Sequence, residues 1–345
     1  MNTRTLKIGA LLFCMVGPLL AAAAPQPRPA STKAPTYDLS GPYTHQNLSI
    51  FLIHGRDRLA GRKLLSLSEA LIQKKIKVHE TGQVNELLVE NYSDDDIFIH
   101  SGDIVKGGKQ DRTFPEDCVL PAHSGKIPLP AFCVEEGRWQ KRGVEADSYF
   151  AANYSKLSSK ELKIAVRHEQ EQDKVWRAVS GVIGGVAALA SPGSARPSST
   201  SLQVNLENPN LKQAMKPYLE KLLPAGDRGD VIGYAFSING ELNSADIYAS
   251  HTLFRKLWPA LLESSVIEAV SKRGNSVSRQ PAGTESVKSL LADTTMGKMS
   301  TKNVGNRTLV TKKESERNLF FESRDRKDQD NWIHRSYLTK SRESK

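Results

Sequence analysis

Two alternating runs, Val231–Ile238 and Glu241–Tyr248, flank the dipeptide Asn239-Gly240. A two-residue connection of this type closes a tight hairpin, because Asn and Gly tolerate the positive φ that both central positions need. Directly afterwards, from about His251 to Lys272, Leu253, Leu257, Leu261 and Leu262 recur at helical spacing with Trp258 beside them. That pattern predicts a helix laying an apolar stripe on the hairpin.

The segments before this unit differ in character. Asn47–Ile53 alternates as a strand does, and Ile76–His79, Glu86–Glu90 and Asp96–His100 are short β-type runs separated by Gly, Asn and Asp turns. Ser66–Lys74 carries a Ser N-cap candidate ahead of Leu and Ala at helical spacing. Strand-like stretches continue to Trp139. Ser159–Val166, Gln170–Val179 and Asn210–Leu223 have helical periodicity, the last stopping near Pro224. The apolar run Val175–Ala190 is short, broken by Gly and interrupted by Arg177, which favours a packed helix over a membrane span. Ser191–Ser201 reads as a loop. The expected fold is α+β: a β-rich N-terminal half with one short helix, central helices, then the hairpin and its packing helix.

At the N-terminus, Arg4 and Lys7 precede an apolar core of about 13 residues, Ile8–Leu20, and the small residues Ala21–Ala24. This is the pattern of a signal peptide over residues 1–24, with cleavage after Ala23 and export to the periplasm or the exterior. A proline-rich linker, 25–42, follows. The main domain is placed at 43–273 and a basic tail, partly β or disordered, at 274–345. After removal of the signal no transmembrane segment is expected.

The chain has 48 Lys and Arg against 38 Asp and Glu. That excess favours acidic partners, an anionic small molecule or an acidic envelope polymer. The basic residues are interleaved with acidic ones and no nucleic-acid-binding motif is present, so sequence-specific nucleic-acid recognition is not indicated. Beyond the signal only Cys118 and Cys133 remain. A chain reversal near Ser124-Gly125-Lys126 would lay Asp117–Pro121 against Pro128–Val134, making a Cys118–Cys133 disulfide a candidate in an oxidising compartment.

The chemistry-bearing side chains concentrate in two clusters between Gly102 and Trp139. In the first, Gly102-Asp103-Ile104-Val105-Lys106-Gly107-Gly108-Lys109-Gln110-Asp111-Arg112, the paired glycines Gly107 and Gly108 permit positive φ and close approach to a ligand. Successive amides there can form an anion nest, with Lys109 as a point charge, Arg112 as a forked donor and Gln110 beside them. The spacing is not that of a Walker A loop. In the second, Cys133-Val134-Glu135-Glu136-Gly137-Arg138-Trp139, a thiol nucleophile, Cys133, with Glu135 or Glu136 as acid or base is conceivable. The motif lacks a histidine; His79, His100, His123 and His168 are the candidates from elsewhere, with His100 nearest the first cluster. The bland reading makes Cys133 a buried residue or half a disulfide and Arg138 a partner of the glutamates. No metal ligands are assigned and no cofactor is named.

GGKQDR followed by FCVEEGRW resembles the ARG-and-rhodanese-phosphatase-superfamily-associated protein domain, a family of unknown function. VNELLVEN at Val84–Asn91, SKELKIAVR at Ser159–Arg167, QDKVW at Gln172–Trp176 and the stretch from Asp230 fit it as well, so the resemblance runs from about Tyr43 to Arg273. The positions it marks are Gly102, Gly107, Lys109, Gln110, Arg112, Cys133, Glu135, Gly137, Arg138 and Trp139. The family's name records an association with ADP-ribosylglycohydrolase and phosphatase-type proteins, which implies a link to ADP-ribose or nucleotide chemistry. The leading expectation is an exported module that binds a phosphate- or carboxylate-bearing ligand through Gly107, Gly108, Lys109, Gln110, Arg112, Arg138 and Trp139. The alternatives are a hydrolase of an ADP-ribose-like or phosphorylated substrate and a structural cell-envelope protein. Whether the chain is an enzyme is left open.

Overall fold

The computed structural model describes residues 37–153, 156–189, 198–274, 282–293, 297–328 and 331–340. The expected signal peptide, most of the expected linker and most of the expected loop Ser191–Ser201 lie outside them. The architecture is α+β. Its frame is an antiparallel sheet of eight strands in the spatial order Asp38–His45, Leu48–His54, Val231–Ile238, Glu241–Tyr248, Trp332–Thr339, Asn318–Asp325, Thr308–Glu314 and Lys298–Val304.

The hairpin forms as its residues require. Asn239 and Gly240 take φ of 53° and 83°, and Ile238 pairs with Glu241 across the turn. Every residue of Val231–Ile238 is buried, so this strand lies at the centre of the fold. The following helix, His251–Ser271, starts at Ser250, whose hydroxyl accepts from the Leu253 amide at 3.3 Å. It packs on the hairpin as expected: the Trp258 ring meets Tyr234 edge-on at 5.3 Å. The expected single stripe is too narrow a description. Phe254, Ser264, Ser265, Val266, Glu268 and Ala269 are buried along with the leucines. A helix enclosed on several sides is a central element of the core.

The N-terminal β-rich half builds three smaller sheets. Leu64–Ser66, Asp96–Ile99 and Cys118–Leu120 form one; Gly125–Pro130, Glu86–Asn91 and Ile76–Glu80 form the second; Phe132–Cys133, Arg112–Thr113, Ile104–Gly107 and Phe150–Ala151 form the third. Between Leu64–Ser66 and Ile76–Glu80 sits the short helix Leu67–Ile72, opened by a full capping box in which Ser66 and Glu69 satisfy each other's amides. The central helices are Lys160–Ile164, Gln172–Ala187, Leu202–Leu206 and Pro209–Leu222. Lys160–Ile164 runs into a π-helical turn, Ala165–Glu169, that buries Arg167. Among the described residues no helix is long and apolar enough to cross a membrane.

Two sequence expectations change here. The segment after 273 is not an appendage. Trp332–Thr339 pairs with Glu241–Tyr248 on one side and Asn318–Asp325 on the other, inside the large sheet. Val304 and Val310 share an apolar core with Leu65, Ile97, Cys118 and Ile127 of the N-terminal sheets. The alternation in these strands is masked by charged residues, which the structure uses as buried pairs: the Asp325 carboxylate meets Arg307 at 2.7 Å and also binds Arg62.

The expected pairing of Asp117–Pro121 with Pro128–Val134 across Ser124 is not formed. Gly125–Pro130 pairs with Glu86–Asn91, and Cys118–Leu120 pairs with Asp96–Ile99. Cys118 and Cys133 therefore end in different sheets. Both are free, buried thiols, so the candidate disulfide is not formed.

Candidate functional site

The strand register unites the two motifs. Arg112–Thr113 lies against Ile104–Gly107 on one side and Phe132–Cys133 on the other, with Cys133 opposite Arg112. Gly107 and Gly108 form the intervening turn with φ of 126° and 56°. A Cβ on Gly108 would stand 2.5 Å from the Phe150 ring and 2.7 Å from a Glu80 oxygen, so glycine is required by space as well as by φ. The amides of this turn are already in use. Gly107 N–H donates to Asp111 Oδ1, Gly108 N–H to the Ala146 carbonyl and Lys109 N–H to Glu80 Oε2, each at 3.0 Å. The expected backbone nest is thus filled by the protein's own oxygens, and any anion must be met by side chains.

Arg112 is fully buried, which its charge alone would not suggest. Its guanidinium donates to Gln110 Oε1 at 3.3 Å, to the Gln83 carbonyl at 3.4 Å and to the Cys133 sulfur, and lies 3.7 Å from Glu80 Oε1. The Trp139 ring covers it at 5.3 Å and meets the Lys109 ammonium at 5.2 Å. Arg138 donates from Nε to Glu135 Oε2 at 2.6 Å and from Nη1 to the Gly108 carbonyl at 3.3 Å, stapling the second motif to the first. Asp111 sits beneath, 3.1 Å from Arg142 and 3.6 Å from Arg138. Burial pushes its carboxyl above the usual range despite the neighbouring Arg142 and the Gly107 amide. Gln172 grips the Cys133 backbone with both ends of its amide, at 2.9 Å each.

This arrangement places Gly107, Gly108, Lys109, Gln110, Arg112, Cys133, Glu135, Arg138 and Trp139 together, as the two motifs implied. The nucleophile roles are less well served. Burial pushes the Cys133 thiol up to about 11; Arg112 opposes that shift and Glu80 adds to it. The thiol is therefore protonated near neutral pH. Glu135 is engaged by Arg138, while Glu136 is exposed. Of the histidines considered as bases, His79 faces Glu90 at 3.0 Å, His123 faces Asp94 at 2.7 Å and His168 lies 3.6 Å from Glu314. His100 bonds the Tyr248 hydroxyl at 2.8 Å.

That last contact belongs to a second polar cluster, which sequence reading missed. His334, from the strand Trp332–Thr339, is fully buried between two aspartates: Nδ1 lies 2.8 Å from Asp117 Oδ2 and Nε2 lies 3.2 Å from Asp246 Oδ1. Burial lowers its affinity for a proton, but Asp117 and Asp246 outweigh it and raise the pKa. The His100 ring stands 4.7 Å away, and Tyr248 stacks on His334 at 4.6 Å. Asp103 receives the His100 amide at 2.8 Å and pairs with buried Lys156. A cavity of about 20 Å³ adjoins this cluster, lined in part by His100, Lys156, Arg167, Asp246, Ser264 and Ser336. His100, Asp103, Asp117, Arg167, Asp246 and Tyr248 lie in segments the sequence singled out, but nothing there brought them together. His334 falls in what read as a tail.

Residues 36–338 match the family model described as the ARG and Rhodanese-Phosphatase-superfamily-associated Protein domain. The chain belongs to that family. The match extends past the Tyr43–Arg273 limits of the sequence resemblance and takes in the C-terminal strands, in keeping with their place in the sheet. No curated protein and no solved structure matches the chain.

Proposed function

We propose that this family member binds a phosphate- or carboxylate-bearing ligand at the surface formed by Lys109 and Trp139. One observation carries the reading. The Lys109 ammonium stands over the Trp139 ring and, among the described residues, meets no carboxylate, whereas every arginine around it is matched to one. Trp139 is 42 % exposed, a large aromatic face held out from a network that is otherwise closed. Arg112 and Arg138 lie beneath, and Arg138 Nη2, 3.6 Å from Asp111, has no hydrogen-bond partner among the described residues. Export, with the ligand met outside the cytoplasm, is supported by the Arg4/Lys7, Ile8–Leu20 and Ala21–Ala24 pattern.

The test is a thermal-shift and calorimetric screen against phosphate, ADP-ribose, NAD, nucleotides and anionic glycans. A ligand at 100 times its Kd adds about 2.7 kcal/mol of stability. Lys109→Ala and Trp139→Ala are the informative controls, since both side chains are partly exposed and can be removed without emptying a buried site. Loss of the shift in both variants supports the reading. An undiminished shift in both, or no response to any anion, counts against it.

A further inference from the structure

We propose that His100, Asp117 and His334 hold a divalent first-row transition-metal ion of the zinc class. One nitrogen from each imidazole and one oxygen of Asp117 lie within 4.8 Å of one another, and all three residues are buried. Donors around an ion at about 2.1 Å stand about 3 to 3.5 Å apart, so side-chain rotations of about an ångström close the set. Nitrogen donors select zinc, cobalt, nickel or iron over magnesium and calcium, which take oxygen.

A second observation points to a ligand independently of the spacing. His100 is 95 % buried by its 5 % exposure, and its Nδ1 has no hydrogen-bond partner among the described residues. A buried imidazole nitrogen without a partner costs free energy unless a water or ion completes it. The other nitrogen, Nε2, is held by the Tyr248 hydroxyl.

The surrounding groups have the arrangement that orients metal ligands. Each of the three residues has one polar atom held by a neighbour: His334 Nε2 by Asp246, His100 Nε2 by Tyr248, and Asp117 Oδ1 by the Ser101 amide at 2.8 Å. Such outer partners set the imidazole tautomer and its basicity. Asp117 and Asp246 place two negative charges beside the ion, and Lys156 is already paired with Asp103. The ion takes the Nδ1 lone pair of His334 and releases to solvent the proton now shared with Asp117. The adjoining cavity has room for one water as a further oxygen ligand. Lys163 and Arg167, which also line it, favour the anionic form of such a ligand.

Untagged full-length protein, stripped with a chelator and then refolded with Zn²⁺ or Co²⁺, tests the site. The expected result is one equivalent of metal per chain retained through gel filtration. Zinc-edge X-ray absorption of the wild type should show scattering from two imidazoles, a readout that needs no variant. Asp246→Asn, which removes an outer charge and leaves the three proposed donor residues in place, is expected to weaken binding by about 10- to 100-fold. His100→Asn should weaken it at least as much. Substoichiometric metal after refolding, bound zinc without imidazole scattering, or unchanged affinity in folded Asp246→Asn and His100→Asn proteins would overturn the assignment.

Discussion

Cys133 stands directly opposite Arg112 across the short antiparallel pair, and the Arg112 guanidinium donates to its sulfur. The sequence motifs thus meet through an arginine buried by design of the register rather than one displayed to solvent. Arg112→Ala would leave Glu80, Gln110 and the Cys133 thiol facing an emptied buried site. Removing one partner of a buried pair costs about 3–5 kcal/mol. Urea denaturation should show a loss of that size, and a loss below about 1 kcal/mol would mean the residue is far more solvated than its contacts imply.

Thiol reactivity follows from the same pair. Burial raises Cys133 to about 11 and Cys118 to about 12. Neither should be modified by iodoacetamide near neutral pH in the native protein, and both should react once it is unfolded. Mass spectrometry of the alkylated chain reads this directly. Rapid native labelling of Cys133 would restore the nucleophile reading.

Glycines at the two motifs should differ sharply. Gly108→Ala drives a Cβ into Phe150 and Glu80 at a φ of 56°, and overpacking of this kind costs about 1–3 kcal/mol beyond the left-handed backbone penalty. Gly137→Ala, at φ 81° with open space around it, should cost only the backbone penalty of about 1–2 kcal/mol. Equal losses in the two variants would show that space around Gly108 is not limiting.

Asp325 makes stability acid-sensitive. Burial would raise its pKa, but hydrogen bonds from Arg307, the Lys327 amide and Arg62 outweigh burial and hold it below the usual range. A carboxyl with a lowered folded pKa contributes stability above its unfolded pKa of about 4, and that contribution is lost as pH falls through the folded value. Asp325→Asn should therefore be less stable than wild type at about pH 6, with a shallower decline toward about pH 3. Denaturation midpoints across that range check it. Parallel declines would place the acid sensitivity elsewhere.

Much of the local structure could be read from residue order. Asn239-Gly240 determined a hairpin because few dipeptides accept two positive φ values. Ser66 with Glu69 determined a helix start because each satisfies the other's amide. Of the run Val175–Ala190, residues 175–187 belong to a packed helix, Gln172–Ala187, as its glycines and Arg177 implied; Ala190 lies outside the described residues. The grouping of GGKQDR with CVEEGRW was legible as well, since the motifs lie close together in the chain. The burial of Arg112 was not: it depends on Glu80, Gln83 and Trp139 closing around it from three segments.

Only the tertiary structure decided the place of the C-terminal strands and the meeting of His100, Asp117, Asp246 and His334. His334 and Asp117 are 217 positions apart, and no local period links them. Periodicity reports which face of an element is apolar, a short-range property of the backbone. Which strands then lie side by side is decided by burying many such faces at once, with charged residues such as Asp325 accepted inside because Arg62 and Arg307 arrive with the fold. The sequence by itself determined the elements, the hairpin and the nearness of the two motifs; the packing of distant strands determined the buried histidine–aspartate cluster.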